Sequence, residues 1–341
     1  MEKVNLAIVG ATGIVGRMFL KILEERNLPL ANVYMFASKR SAGTKINFND
    51  KQYTVEELTE TSFDRGIDIA LFSAGSDTSL KFAPIAASKG CTVIDNSSAW
   101  RMDISVPLIV PEVNPEDIYL NKGIIANPNC STIQAVVTLN PLHKKYKIKR
   151  VVFSTYQAVS GAGRQGCLDL ENGLKGEAPK KFVHQIAHNL IPQIDAFMAN
   201  GYTKEEMKMV NETIKIMHDD SIKITATTVR VPVFNAHSES VNIEFEKSFN
   251  LDELINTLKN APGIVVQDDP QNHVFPMPIW ADGRDEVFVG RIRRDESVES
   301  GVNLWICADN IRKGAATNAI QIAKEIINNA NKNKVSGGAF L

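Results

Sequence analysis

Hydrophobic and polar positions follow two different patterns along the chain. In the first third, near-continuous apolar runs such as KVNLAIVG and IDIALFSAG alternate with segments of helical spacing such as GRMFLKILEERN. Strands that are apolar on both faces and that alternate with helices indicate a parallel sheet covered by helices on both sides. The pattern predicts a doubly wound α/β domain over residues 1–129.

Beyond about residue 130 the apolar runs become longer and more regularly alternating. Examples are RVVFSTYQAVSG, SIKITATTVRVPVF, ESVNIEFEKSF, EVFVGRIRRD and GVNLWICADN. Alternation with a period of two indicates a sheet with one buried face. Residues 130–312 are therefore predicted to form a second, α+β domain with a mostly antiparallel sheet. The last segment, 313–341, has helical periodicity in KGAATNAIQIAKEIINN and is predicted to pack back on the first domain.

The bulk composition excludes several classes of protein. The chain has 341 residues, 44% of them hydrophobic and 23% charged, with a formal net charge of −1. A near-neutral chain argues against nucleic acid or an anionic membrane as partner. No apolar stretch reaches the roughly 20 residues of a membrane-spanning helix, and the chain opens directly on a strand, so no signal peptide is expected. Four widely spaced cysteines without nearby histidine ligands indicate reduced thiols in a cytoplasm and no metal site.

Three glycines lie between the first strand and the first helix. The segment VGATGIVGR places them at Gly10, Gly13 and Gly16. Glycines in such a turn let the backbone approach a pyrophosphate, whose charge then lies at the helix N-terminus. The alternative is a tight strand-to-helix turn without a ligand. The position after an apolar strand and before a helix favours a dinucleotide site in a domain of Rossmann type.

The end of the second strand indicates which dinucleotide is bound. An acidic residue about 20 positions after the glycines usually binds the free ribose 2′-hydroxyl of NAD. Here the segment ASKRSAG offers Ser38, Lys39, Arg40 and Ser41 and no carboxylate. Hydroxyl and guanidinium groups suit a 2′-phosphate, so NADP is the predicted cofactor. The alternative is a solvated basic loop.

Cys130 is the candidate nucleophile among the four cysteines. It follows the apolar run GIIAN and begins the helical segment STIQAVVTLNPL, at the predicted seam between the domains. A helix N-terminus and a nearby cation lower a thiol pKa and make the thiol reactive. A small buried hydrophobic residue is the alternative, and the residues alone leave both open. Cys91 and Cys307 lie inside predicted strands, and Cys167 is expected in a glycine-rich turn.

His237 is the candidate acid/base among six histidines. It follows, in RVPVFNAHSES, a long strand that carries Arg230 seven residues earlier. An odd number of steps along one strand would place the two side chains on opposite faces, but VPVFNA is expected to form a loop that brings both to one pocket. The alternative is an ordinary loop histidine. An arginine nearby suits an acidic substrate.

A series of motifs, in one order along nearly the whole chain, resembles the aspartate-β-semialdehyde dehydrogenase family. They are GATGIVG, ASKRSAG, DNSSAWR, VPLIVPEVN, NPNCSTIQ, TYQAVSGAG, HNLIPQID, EEMKMVNET and RVPVFNAHSES. The resemblance implies two domains, a homodimer, and the reversible NADPH-dependent reduction of aspartyl phosphate to aspartate semialdehyde and phosphate. That reaction leads towards lysine, diaminopimelate, methionine, threonine and isoleucine.

The resemblance also implies a role for each matching residue. Cys130 is the expected nucleophile, Gln157 orients substrate and thioester, and His237 is the acid/base. Arg230 is expected to bind the substrate carboxylate, with Arg101 and Lys208 on phosphate and Glu205 as a further substrate residue; the alternative for Glu205 and Lys208 is an i,i+3 ion pair. For NADP the matching residues are Gly10, Thr12, Gly13, Ile14, Val15, Gly16, Ser38, Arg40, Ser41, Ser160, Gly161 and Asn310.

Two other functions compete with this prediction. One is another phosphorylating aldehyde dehydrogenase, such as N-acetyl-γ-glutamyl-phosphate reductase or a glyceraldehyde-3-phosphate type. These enzymes share the glycine turn and the cysteine, but NPNCSTIQ and RVPVFNAHSES resemble the aspartate family more. The other is a dinucleotide-binding regulatory protein with an inactive site, which the presence of Cys130, Gln157 and His237 disfavours.

Overall fold

The structure is a computed structural model that describes residues 3–336. It divides into two compact units: the first runs to Pro128 and resumes at Ala315, and the second is Asn129–Gly314. Residues 337–341 of the predicted final helix lie outside the described residues.

The strands and helices follow each other in the order expected from the patterning. The strands are β1 (Val4–Val9), β2 (Leu30–Ala37), β3 (Lys45–Phe48), β4 (Lys51–Thr54), β5 (Glu56–Glu57), β6 (Ile69–Phe72), β7 (Thr92–Asp95), β8 (Ile124–Ala126), β9 (Ile148–Gln157), β10 (Lys223–Arg230), β11 (His237–Phe245), β12 (Ile264–Val266), β13 (Val287–Asp295) and β14 (Gly301–Ala308). The α-helices are α1 (Ile14–Arg26), α2 (Ser76–Ser88), α3 (Cys130–Tyr146), α4 (Arg164–Gly173), α5 (Lys204–Met217), α6 (Leu251–Lys259), α7 (Pro278–Ala281) and α8 (Thr317–Ser336). Short 3₁₀ turns cover Lys39–Ser41, Glu60–Phe63, Pro115–Leu120, Val159–Ala162 and Pro270–Asn272, and a π-helical turn covers Arg312–Ala316.

The first unit contains a parallel sheet with the strand order β5-β2-β1-β6-β7-β8. Strand β1 pairs with β2 on one side and with β6 on the other, so the order of the strands reverses at β1. This reversal is the switch point at which α/β sheets bind ligands beyond the carboxyl ends of their strands. The prediction of a doubly wound, Rossmann-type fold is confirmed.

Helix α8 belongs to the core of this unit. Its Ala319, Ile320 and Ala323 are buried in one hydrophobic cluster with Ile8 of β1 and Phe19 of α1. The apolar periodicity read in the sequence of this segment is therefore the buried stripe of a helix.

One hairpin of the first unit was not predicted. Strands β3 and β4 pair in an antiparallel manner, and the two residues between them, Asn49 and Asp50, have φ values of 46° and 59°. Two consecutive positive φ angles are typical of the type I′ turn, which asparagine and aspartate tolerate. Each strand has only four residues, so even the clear alternation of β3 is too short to predict a strand.

The second unit contains a six-stranded mixed sheet with the order β10-β9-β11-β14-β13-β12. The central pairs, β9–β11, β11–β14 and β14–β13, are antiparallel, and the outer pairs are parallel. The alternate residues of β11 that begin at His237 are buried, and α3 packs against β11 and its neighbours. The opposite face carries half-buried rings, with Tyr156 and Trp305 at a centroid distance of 5.3 Å. Within the described residues, no helix has the length and apolar character needed to cross a bilayer.

Candidate active site

The glycine turn after β1 contains two glycines that are required by packing and one that is not. Gly10 has a φ of +90°, and a β-carbon there would lie 2.4 Å from the Ser73 carbonyl oxygen. A β-carbon at Gly16 would lie 2.2 Å from the Gly10 carbonyl oxygen. At Gly13 the only close neighbour would be the Gly10 carbonyl oxygen at 3.3 Å. Packing of the turn itself therefore explains Gly10 and Gly16 but not Gly13.

Gly13 occupies the N-cap position of α1 and supplies no capping side chain. The first backbone N–H groups of a helix lack partners within the helix, and a side chain usually accepts from one of them. Here the N–H groups of Ile14, Val15 and Gly16 meet a turn without a side-chain acceptor, next to the half-buried Thr12. The turn is thus shaped for an anion such as a dinucleotide pyrophosphate.

The segment after β2 presents the basic residues expected for a 2′-phosphate. Ser38 and Arg40 are exposed, and Ser41 is half-buried in the 3₁₀ turn Lys39–Ser41. The Ser41 N–H donates to the Ser38 carbonyl at 2.8 Å, which fixes the turn. The guanidinium and two hydroxyls are therefore available at the end of the strand next to β1.

Arg101 is buried in the first unit and is held by backbone carbonyls. Its Nε donates to the Asn127 carbonyl and its Nη2 to the Asn96 carbonyl, both at 3.0 Å. The Asn127 amide donates to the Asn96 side-chain oxygen at 2.7 Å and accepts from the Asn318 amide at 2.8 Å. Sequence reasoning found Arg101 but missed the asparagines that fix its position.

Cys130 is the first residue of α3, in the second unit. The side-chain oxygen of Asn129, the N-cap, accepts from the N–H groups of Ser131 at 3.0 Å and Thr132 at 3.4 Å. The thiol is half-buried. A β-carbon at position 314 would lie 2.9 Å from the Cys130 β-carbon, so Gly314 allows close packing there.

The other cysteines occupy different environments. Cys91 and Cys307 are buried, and burial raises the pKa of each thiol to about 12. Cys167 lies in α4 rather than in a turn, and burial together with Glu171 raises its pKa. Only Cys130 among the four begins a helix, which is the position that favours a thiolate.

Gln157, Arg230 and His237 lie at one edge of the second sheet. Gln157 ends β9 and Arg230 ends β10, and the two residues are in register in this parallel pair. The segment VPVFNA lies between β10 and β11, as expected, and His237 is the first residue of β11, which runs antiparallel to β9. Arg230 and His237 belong to different strands. The odd number of residues between them therefore does not place their side chains on opposite faces of the sheet.

Two backbone groups of Ala158 connect the histidine and the arginine. The Ala158 N–H donates to His237 Nδ1 at 3.0 Å, and Arg230 Nη1 donates to the Ala158 carbonyl at 2.7 Å. Gly161 is exposed, and a β-carbon there would lie 2.9 Å from Arg230 Nη1 and 3.3 Å from His237 Nε2. Gly161 therefore leaves space directly over both side chains.

The hydrogen bond from Ala158 determines the state of the imidazole. Since Nδ1 accepts an N–H, a neutral His237 ring carries its proton on Nε2. Burial and then the positive charge of Arg230 lower the pKa of His237 well below its usual value. Burial also lowers the pKa of Arg230, and the negative charges of Glu205 and Cys130 oppose that shift.

Gln157 connects helix α3 to Glu205. Its Nε2 donates to Ser131 Oγ at 2.6 Å and to Glu205 Oε1 at 3.3 Å. Glu205 Oε1 also accepts from the Asn129 amide at 2.9 Å, and the Asn129 N–H donates to Glu212 Oε2 at 2.7 Å. Ser131, Asn129 and Glu212 were missed from the sequence, because only the fold brings α5 to the start of α3.

Lys208 forms the ion pair that was the alternative to a substrate role. Its Nζ lies 3.0 Å from Glu205 Oε2 and 3.0 Å from Asp195 Oδ2. Burial alone would raise the pKa of Glu205, but Lys208, Asn129 and Arg230 outweigh it and the pKa falls. Burial would likewise lower the pKa of Lys208, and the two carboxylates raise it instead.

Ser160 and Asn310 form a buried pair beside the strand edge. The Asn310 amide donates to Ser160 Oγ at 3.0 Å, and the Ala236 N–H donates to Asn310 Oδ1 at 2.9 Å. Within residues 3–336, no cluster of three or more histidine, cysteine or acidic side chains is suited to hold a metal ion.

Two family models match the chain. The model of the semialdehyde dehydrogenase NAD binding domain matches residues 5–120, and that of the semialdehyde dehydrogenase dimerisation domain matches residues 139–313. The aspartate-semialdehyde dehydrogenase of Aquifex aeolicus is 60% identical over 332 residues, which cover 95% of this chain and 98% of that protein. This chain belongs to the aspartate-semialdehyde dehydrogenase family. The Bacillus subtilis member is 48% identical, with 94% and 97% of the two chains covered.

Solved structures of the family have the same fold. Aspartate semialdehyde dehydrogenase II of Vibrio cholerae, complexed with ASA, has a TM-score of 0.93 at 47% identity and covers 96% of this chain and 99% of its own. The enzyme of Candida albicans with NADP has a TM-score of 0.77 at 24% identity, covers 95% and 98%, and is evidence for the fold alone. Family membership confirms the predicted enzyme, an NADP-dependent oxidoreductase of amino-acid biosynthesis.

Proposed function

We propose that this chain reduces L-4-aspartyl phosphate to L-aspartate 4-semialdehyde and phosphate, reversibly, through a thioacyl enzyme on Cys130. The assignment of roles to residues rests on the cluster at the edge of the second sheet. There Gln157 donates to Ser131, the residue after the half-buried Cys130, and Ala158 joins Arg230 to His237.

Cys130 is the nucleophile of the proposed mechanism. The N-terminus of α3 and the guanidinium of Arg230 both favour its thiolate, which attacks the acyl carbon and expels phosphate. Gln157, held by Ser131, orients the acyl group. Arg101 and Lys208 bind the phosphate. The two carboxylates already beside Lys208 reduce the charge that it offers to phosphate.

Arg230 binds the substrate carboxylate. Its guanidinium is buried, forms one hydrogen bond to a backbone carbonyl, and has no carboxylate within ion-pair distance among the described residues. A planar guanidinium in this state matches the two oxygens of a carboxylate. Glu205 accepts from Gln157 Nε2 and suits the substrate ammonium group.

The glycine turn and the segment after β2 hold the cofactor. Gly10, Gly13 and Gly16 shape the turn, the first N–H groups of α1 bind pyrophosphate, and Ser38, Arg40 and Ser41 bind the 2′-phosphate. Ser160, Gly161 and Asn310 are further cofactor residues in this proposal. NADPH, when bound, supplies the hydride that reduces the thioester. His237 is the acid/base and holds the reacting proton at Nε2.

The assay of the reverse reaction tests this proposal. Purified enzyme should reduce NADP with L-aspartate semialdehyde only when phosphate is present, and prior alkylation should abolish the reaction. A Cys167→Ser variant is the matched control, since Cys167 is the other half-buried thiol. That variant should remain fully sensitive to alkylation. Phosphate-independent reduction, or a preference for N-acetylglutamate semialdehyde, would contradict the proposal.

The chain also forms a homodimer in this proposal. The match to a dimerisation domain supports it, as does the open face of the second sheet, where half-buried Tyr156 and Trp305 lie together. Light scattering should give twice the chain mass, and Trp305→Glu should give monomer. We further place the enzyme in the cytoplasm, because all four thiols are free.

A further inference from the structure

A layer of buried polar side chains lies directly beneath the proposed catalytic residues. Glu239 follows His237 by two positions on β11, so the two side chains lie on the same face. Thr155, its cross-strand partner on β9, precedes Gln157 by two positions. Gln134 lies one helical turn after Cys130 on α3, and its Nε2 donates to the His237 carbonyl at 3.4 Å. We call Gln134, Thr155 and Glu239 the polar layer.

The polar layer is fully buried and poor in hydrogen bonds. All three side chains have a relative exposure of 0%. Within the described residues, neither carboxyl oxygen of Glu239 has a hydrogen bond of normal geometry, nor do Thr155 Oγ1 and Gln134 Oε1. Buried polar groups in native proteins are nearly always paired. These oxygen atoms therefore require hydrogen-bond donors.

Among the side chains that the structure describes, no cation compensates a charge on Glu239. On β9 it faces Thr155, on β14 its cross-strand partner is Ile306, and on α3 it faces Gln134. The titratable groups of these elements nearest to it are His237 on its own strand, Cys130 on α3 and Cys307 on β14. Arg230 lies on β10, beyond β9. A buried carboxylate without a counter-charge takes up a proton instead.

We propose that Glu239 is a neutral carboxylic acid in the native enzyme and acts as a positioning residue for His237 and Gln157. Its O–H donates to the amide oxygen of Gln134, and its carbonyl oxygen accepts from the Thr155 hydroxyl. The three residues then connect α3, β9 and β11 directly below the reacting groups. Because the layer carries no charge, it leaves His237 as the neutral ring whose proton is on Nε2.

The electrostatics agree with this geometry. Burial raises the pKa of Glu239 well above its usual value, and the Gln134 amide opposes that rise only in part. A group with a raised pKa contributes stability below its unfolded pKa and loses it as pH rises towards the folded pKa. Glu239 should therefore lower the free energy of unfolding of wild type as the pH rises. Glutamine at position 239 cannot ionise, so the Glu239→Gln variant should not show this decrease.

The first test compares Glu239→Gln with a matched buried glutamate. Glu206 accepts from the N–H groups of Thr203 at 2.7 Å and Thr228 at 3.1 Å, so it has the donors that Glu239 lacks. The urea midpoint of E239Q should exceed that of wild type by a margin that grows from about pH 5 to about pH 8. E206Q should show no such gain. A margin that is constant or that shrinks with pH overturns the proposal.

Infrared spectroscopy gives a direct reading of the proton. Wild type at about pH 8 should show the carbonyl band of a protonated carboxylic acid. The band should be absent in E239Q and present in E206Q. If wild type and E239Q have the same spectrum in this region, Glu239 is ionised and the proposal is wrong.

The kinetic test separates positioning from bulk packing and rests on the proposed function. E239Q should keep kcat within about threefold and leave the acidic limb of kcat/KM in place, whereas E239L should lower kcat about tenfold at unchanged KM for NADP. A shift of the acidic limb to lower pH in E239Q would reveal a lost anion beside His237 and refute a neutral Glu239. If E239L does not fold, E239Q alone decides. An enzyme without the proposed activity would fail here but not in the stability and infrared tests.

Discussion

The glycine turn after β1 and the cluster around Cys130 are built from different kinds of group. The turn recognises an anion with backbone N–H groups that follow one another in the chain, and its glycines matter because they lack side chains. The cluster consists of buried side chains from α3, β9, β10 and β11, which strand register brings together. The difference predicts opposite sensitivities to mutation. Substitutions that add a side chain should impair the turn, and substitutions that truncate a side chain should impair the cluster.

Removal of the nucleophile should have the largest effect. Cys130→Ala takes away only the sulfur, so turnover should fall by at least about 10⁴-fold while NADP still binds. Steady-state assays and cofactor titration by fluorescence would measure the two properties. Near-native turnover would remove Cys130 from the mechanism, and loss of cofactor binding would mean that the two regions do not fail independently.

Removal of the buried guanidinium should have the next largest effect. Arg230→Leu should raise the KM for aspartate semialdehyde about 100-fold, because a charge pair formed in a buried site is lost. Arg230→Lys keeps the charge without the planar fork and should recover only part of the loss. An unchanged KM for the aldehyde in either variant would contradict the carboxylate role.

Added atoms in the glycine turn should give two distinct results. Gly10→Ala requires an unfavourable φ and a contact of 2.4 Å with Ser73, so it should destabilise the fold by about 2 kcal/mol or more. Gly13→Ala has an ordinary φ of −75°, and its β-carbon would meet only the Gly10 carbonyl oxygen, at 3.3 Å, which a small shift of the turn relieves, so the fold should persist. Its KM for NADP should rise about tenfold, as expected for one weakened charge-assisted hydrogen bond. If Gly13→Ala had the melting curve of wild type and also the same affinity for NADP, no ligand would approach Gly13.

The exposed arginine after β2 should have the smallest effect. Arg40→Ala should raise the KM for NADP about fivefold, since exposed ion pairs are weak. The KM for NAD should stay the same, because NAD lacks the 2′-phosphate. Parallel assays with the two cofactors measure the preference. A similar rise for both cofactors would indicate damage to the turn rather than loss of a phosphate contact.

The two regions also differ in what the sequence could predict. Gly10, Gly13, Gly16, Arg40 and Ser41 are close in sequence, so a local pattern was sufficient to identify the turn. Cys130 could be placed at a helix start for the same reason.

The partners of the cluster depend on tertiary structure. The contact of Glu212 with the Asn129 backbone joins two distant helices. The pairing of the strand that His237 begins with β9, and the Asp195–Lys208 pair, likewise depend on how the elements pack. The sequence does not single out Glu239, because an alternating strand that carries one buried carboxyl resembles any half-polar strand.

Ala158 holds the imidazole and the guanidinium with main-chain atoms alone. Their separation is therefore insensitive to most substitutions at this position, provided that the new side chain fits. Proline is the exception, since it has no N–H to donate to Nδ1 and would release the ring to change tautomer. Ala158→Pro would in this way free Nδ1 of His237 to take up a proton, while the Ala158 carbonyl would still accept from Arg230.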